Sequence, residues 1–117
     1  MTPGQAKRKG RETESRLVEW LHAHGWPYTE RRRLAGTADR GDISGVIGVT
    51  IEVKSGARLD LAGWMKQLEV EMVNDRADLG LVVVRPKGCP DPEAWWAVMP
   101  VPIAFKMLRE RDERTSE

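Results

Sequence analysis

The sequence predicts one mixed α/β domain with helices packed against a single sheet. Three observations carry this: apolar stripes of helical period at 11–24 and 61–76, β-branched or continuously apolar runs at 42–53 and 81–84, and Gly/Pro punctuation between them. The 117 residues match one domain of ordinary size, 1–117. Such a chain buries roughly two thirds of its unfolded surface, so its core needs no staples.

Residues 2–10 are polar, with Pro3, Gly4 and Gly10, and read as a mobile basic arm spanning 1–10. From 11 to 24, Leu17, Val18, Trp20 and Leu21 fall on helical spacing, and Gly25 followed by Pro27 stops the helix. Residues 28–34 suit a short strand, closed by the turn-rich stretch 35–39. The β-branched run 42–53 carries Gly45 and Gly48, which suit a hairpin. Asp60 is placed to cap a helix on which Leu61, Trp64, Met65, Leu68 and Met72 form one stripe ending near Arg76. The run 81–84 has the pattern of a strand covered on both faces. A rigid loop at 86–92, a strand at 94–99 and a helix at 103–111 follow, with 112–117 as a frayed tail.

Composition excludes several classes. One cysteine, Cys89, allows neither an intrachain disulfide nor a Cys-rich zinc site. His22 and His24, two apart, point to different sides of a helix and make poor joint ligands. No apolar run approaches the roughly 20 residues of a membrane span, and no signal-like segment opens the sequence, so a soluble, cytoplasmic chain is expected. Trp20, Trp95 and Trp96 are expected in or beside the core, and Trp64 at a subunit interface.

The net charge of +1 hides an asymmetry: residues 1–40 carry nine Lys and Arg against five Asp and Glu, whereas the remainder is net acidic. The basic excess lies in Lys7, Arg8, Lys9 and Arg11 and in Arg31, Arg32 and Arg33, with Arg58 further on. Such clusters neutralise phosphates and steer polyanions.

The chemistry is carried by Asp42 and the run Ile51-Glu52-Val53-Lys54. Side chains alternate along a strand, so Glu52 and Lys54 share one face while Ile51 and Val53 point to the core. Asp42, from the neighbouring hairpin strand, can end beside them. Two carboxylates and an ammonium at one sheet end suit metal-dependent phosphoryl transfer, because hard divalent ions take oxygen ligands and keep waters. Glu-x-Lys alone says little, since a surface ion pair on a strand has the same spelling.

The segment Arg40-Gly41-Asp42-Ile43, followed by Ile51-Glu52-Val53-Lys54-Ser55, resembles the core of the PD-(D/E)XK nuclease superfamily. The upstream run Lys9-Gly10-Arg11-Glu12-Thr13-Glu14 and the pair Gly25-Trp26 resemble the first helix of archaeal-type Holliday junction resolvases. The resemblance covers about residues 9–85. It implies a restriction-endonuclease-like mixed sheet flanked by helices and a catalytic set of Glu14, Asp42, Glu52 and Lys54. Glu14, Asp42 and Glu52 would hold Mg²⁺, or Mn²⁺ in its place, and Lys54 would position the attacking water. Gln67 would be an auxiliary polar residue and Thr37 a stand-in for a loop serine. Gly41 stands where the superfamily name expects Pro.

What the resemblance implies is a Mg²⁺-dependent, structure-selective DNA endonuclease that cleaves four-way junctions. Metal-activated water would attack the phosphodiester in line, with no covalent enzyme intermediate. Branched DNA would be the partner, the basic clusters would touch its phosphates, and symmetric cleavage fits a homodimer. Two alternatives are a nuclease for flap, splayed or duplex DNA and a non-catalytic DNA-binding module of the same fold. A compact chain of this kind suits a phage or mobile element.

Overall fold

The computed structural model describes residues 2–33, 38–56 and 58–115; Thr37 lies outside them. The elements run α1 (Pro3–Ala23), β1 (Glu30–Arg31), β2 (Ile43–Ser44), β3 (Val49–Ser55), α2 (Leu61–Asp75), β4 (Leu79–Arg85), β5 (Trp96–Val98) and α3 (Val101–Thr115), with a 3-10 turn at Pro92–Ala94. The strands form one mixed sheet in the order β1-β2-β3-β4-β5. The first three pair antiparallel, β3 and β4 run parallel through the α2 crossover, and β5 returns antiparallel to β4. This is an α/β fold, a five-stranded mixed sheet flanked by three helices, compatible with a restriction-endonuclease-like architecture.

The first helix begins earlier than expected. Thr2 caps it by accepting from the Gln5 N–H (3.2 Å), and Gln5 Oε1 accepts the Thr2 N–H in return (2.8 Å). With Pro3 in the first turn, this reciprocal cap satisfies donors that a helix start leaves orphaned. Residues 3–10, expected as a mobile arm, are therefore the first turns of α1. At the other end Gly25, at φ 96°, takes the left-handed conformation that closes a helix. The last helix likewise outruns its expected end at 111, continuing to Thr115.

Two apolar layers sandwich the sheet. On one face Leu17 and Leu21 of α1 pack with Ile43 and Ile51, joined by Val53, Leu81, Val83 and Trp95. On the other, Leu68 of α2 packs with Val82 and Val84, joined by Trp64, Met65, Met72 and Val98. The alternation along β4 explains its unbroken apolar run: Leu81 and Val83 serve the α1 layer, Val82 and Val84 the α2 layer. Asp60 caps α2 as expected, accepting from the Gly63 N–H (3.1 Å), and Arg76 ends it in the left-handed region.

Arg85 ties α1 to the sheet. Buried at the end of β4, it donates to Thr13 Oγ1 (3.1 Å) and to the Cys89 carbonyl (3.1 Å), and its guanidinium lies 5.5 Å from the Trp95 ring centroid. Trp96 departs from expectation: on the edge strand β5 it turns outward and is 53% exposed. No helix among the described residues is long and apolar enough to cross a membrane.

Leu68 is fully buried at the centre of the α2 layer. Leu68→Ala is expected to lower unfolding stability by about 2–5 kcal/mol in urea titration, through lost burial and the cavity left behind. A change below about 0.5 kcal/mol would contradict this packing.

Candidate metal centre

The β3 strand delivers the alternation read from the sequence. Ile51 and Val53 enter the α1 layer, while Glu52 and Lys54 face α2. Glu52 is buried, and Lys54 Nζ stands 3.4 Å from Glu52 Oε2. Gln67, from α2, bridges the two: its Oε1 accepts from Lys54 Nζ (2.9 Å) and its Nε2 donates to Glu52 Oε2 (2.5 Å). The auxiliary residue thus fixes both members of the Glu-x-Lys pair.

Asp42 immediately precedes β2 and is pinned by the neighbouring strand. Its N–H donates to the Ile51 carbonyl (2.8 Å), and its Oδ2 accepts from the Val53 N–H (2.8 Å). Those two bonds flank Glu52 and hold the Asp42 carboxyl beside it. Gly41, where the superfamily name expects Pro, has φ 94°, and a Cβ there would meet the Ile51 carbonyl oxygen at 2.9 Å. Its N–H also donates to Asp39 Oδ1 (3.0 Å). Proline, with φ fixed near −65° and no N–H, cannot make this turn.

The structure adds two acids that the sequence reading missed. Oxygens of Asp39, Glu52 and Glu71 all lie within 4.8 Å of one another, a group that could hold a metal ion. Asp42 and Glu14 are outside that group, although Asp42 acts on Glu52 more strongly than Glu71 does. Glu71 comes from α2, one turn after Gln67, and is fully buried. A four-residue step from Gln67 into the sheet-facing side of the helix was its only signal in the sequence. Asp39 carried none, since an aspartate in a turn-rich stretch is ordinary.

Among the described residues, Glu52 Oε1 and both Glu71 carboxyl oxygens are buried without a hydrogen-bond partner. Their near neighbours are other carboxyls, which donate nothing when ionised. Burial, then the adjoining Asp42 and Glu71, push Glu52 up to about 10 against the pull of Lys54. Burial and the facing Asp39 carboxyl likewise raise Glu71 to about 7. Burial alone would raise Asp39 too, but the Gly41 N–H, Glu71, Gln67 and Lys54 together hold it below its usual range. An all-oxygen donor set with buried, unsatisfied lone pairs fits a hard divalent cation.

Glu14 sits apart, on α1. Its half-buried carboxylate accepts from Arg31 Nε (3.3 Å), and burial and Asp42 raise its pKa. Arg32 turns inward instead: it pairs with Asp75 (3.2 Å), which also accepts from Thr50 Oγ1 (3.0 Å). The pair joins the segment after β1 to the end of α2. Arg33, Arg58, Lys7, Arg8 and Arg11 are exposed, and Lys9 is half-buried. His22 and His24 bond to the Thr29 and Trp20 carbonyls at the exposed end of α1. Comparison of the chain with family models, curated proteins and solved structures finds no match.

Glu52 and Glu71 hold protons in the fold that they would release near pH 4.5 when unfolded. The folded form therefore binds more protons above that pH, and stability falls as pH rises, by about 1.4 kcal/mol per unit for a group that stays protonated. For Glu71 the loss runs to about pH 7, and for Glu52 to about pH 10. Thermal melts in chelator are expected to show a Tm that declines from pH 5 to pH 8. Added Mg²⁺ or Mn²⁺ should raise Tm more at pH 8 than at pH 5. A metal-induced rise independent of pH would contradict this electrostatic picture.

Proposed function

We propose that the chain is a metal-dependent DNA endonuclease of the PD-(D/E)XK type that cleaves four-way junctions. The observation carrying the reading is the joint placement of Asp42, Glu52 and Lys54 at one sheet end, with a buried Glu52 oxygen that no donor among the described residues satisfies. Asp42 and Glu52 are the residues that would hold Mg²⁺ or Mn²⁺, with Glu14 at the rim near Asp42. The ion would supply Lewis acidity, lowering the pKa of a water and screening phosphate charge.

The chain's own residues divide the remaining work. Lys54 keeps part of its surface open to solvent while Gln67 and Glu52 fix its ammonium, so it can hold a water or a phosphate oxygen by hydrogen bonding. Asp42 stays in place through its bond to the Val53 N–H. In-line attack of water on phosphorus breaks one P–O bond of the backbone without a covalent enzyme intermediate. The α1 residues Lys7, Arg8, Lys9 and Arg11, with Arg33 and Arg58, are the cations that would contact backbone phosphates. Branched DNA as substrate rests on the likeness of α1 to junction resolvases. Paired cuts across a junction require two such sites about a dyad, hence a homodimer. Acting on DNA places the protein inside the cell.

The test is a labelled synthetic four-way junction with Mg²⁺, beside duplex, flap and single-stranded controls. Paired symmetric nicks confined to the junction are expected, and chelator should remove them. Glu52→Gln and Asp42→Asn should each slow cleavage by at least ~100-fold while junction binding persists. Glu52→Gln keeps the size of a side chain that is buried and protonated in the metal-free fold, so the fold should persist. Absence of metal-dependent cleavage with every substrate would overturn the reading, whereas cleavage of flap or duplex alone would move the substrate.

A further inference from the structure

We infer that Asp39, Glu52 and Glu71 form a divalent-cation position that fills before any DNA binds, distinct from the Asp42–Glu52 edge proposed for hydrolysis. The inference extends the nuclease reading and rests on it for the role of that edge. Its geometry is that of the acid group itself, whose oxygens approach one another within 4.8 Å and which includes neither Asp42 nor Glu14.

What points to a ligand is Glu71. It is 0% exposed, and among the described residues both of its carboxyl oxygens lack a hydrogen-bond partner. An ionised carboxylate in that condition is strongly unfavourable, so Glu71 keeps a proton or takes a cation. Lys54 serves the Glu52 member of the group and bonds to Gln67, and Arg32 pairs with Asp75. Gln67 Nε2 donates to Glu52 Oε2 and helps to hold Asp39 low.

The surroundings are those of a built site. Along α2 a polar stripe runs beside the apolar one: Glu71 faces the Asp39 and Glu52 carboxyls, and the others are tied down. Gln67 reaches Glu52, Asn74 Nδ2 donates to the Asp39 carbonyl (2.7 Å), and Asp75 takes Arg32 and Thr50. Asn74 thereby holds the backbone of Asp39 close to the helix that carries Glu71. A cation between the two carboxylates would complete the tie between α2 and the segment leading into Asp42.

The chemistry separates the two positions. Three carboxylates on one ion make a site that the protein largely closes by itself, with exposed Asp39 leaving room for water. The Asp42–Glu52 edge offers two carboxylates, the arrangement that hard ions complete with waters and substrate phosphates. Occupancy at the first should therefore need no DNA, and occupancy at the second should improve with it.

Titration of the DNA-free protein with Mn²⁺, followed by the electron paramagnetic resonance signal of the free ion, tests this. The parent protein is expected to bind Mn²⁺, and Glu71→Gln to weaken that binding at least about tenfold, by more than Asp42→Asn does. Circular dichroism checks the fold of each variant, and Asp39→Asn, at an exposed position, should reproduce the Glu71→Gln effect if that variant fails to fold. Mn²⁺ binding lost with Asp42→Asn but indifferent to Glu71→Gln would overturn the inference. So would no binding without DNA in a protein that still cuts DNA with Mg²⁺, and there the nuclease reading survives. Binding that depends on Glu71 in a protein that cuts no DNA would uphold the cation site and remove the nuclease.

Discussion

The interior placement of carboxylates at one end of the sheet is the constraint from which the rest of the molecule takes its meaning. Glu52 and Glu71 are buried, Asp42 and Asp39 adjoin them, and the described residues leave three of the buried oxygens without a donor. In water Glu52 and Glu71 would ionise freely; here they keep protons or gain a cation. Apolar side chains at both positions would pack at lower cost, because buried charge is rarely the most stable solution. Their presence is intelligible as a site that exchanges protons for a positive ion.

The fold brings these acids together by simple means. Parallel pairing of β3 with β4 demands a crossover, and the crossover helix α2 lies over the face from which Glu52 and Lys54 project. Gln67 and Glu71, one turn apart on that helix, then meet the strand. The turn at Gly41 lays Asp42 against β3 between the Ile51 carbonyl and the Val53 N–H. Arg85 ties α1, which carries Glu14, to the end of β4. Apolar packing above and below the sheet holds these pieces in register, so the polar network at its end is preorganised by the core.

Period and punctuation made much of this legible. The alternation at Ile51 to Lys54 placed Glu52 and Lys54 on one face, the unbroken run in β4 announced two covered faces, and Asp60 announced the start of α2. Other features were hidden for physical reasons. The Thr2–Gln5 capping box was masked by Pro3 and Gly4, whose composition suggests coil although proline is favoured in a first helical turn. Arg32 looked like one of three solvated cations, since sequence alone does not show which member of a cluster meets an inward aspartate. Glu71 hid within an amphipathic helix, where a carboxylate is taken to face water unless its partner strand is known. Trp96 is expected in or beside the core by residue type, and on the edge strand β5 it is 53% exposed.

The balance between protons and cation can be measured directly. Calorimetric titration of Mn²⁺ into DNA-free protein at pH 7, repeated in buffers of different ionisation enthalpy, reports the protons released per ion bound. With Glu52 raised to about 10 and Glu71 to about 7, binding should expel at least about one proton per chain, and release should diminish in Glu71→Gln. An ion that binds without releasing protons would mean that the buried carboxyls do not hold it, and the account of this sheet end would fail.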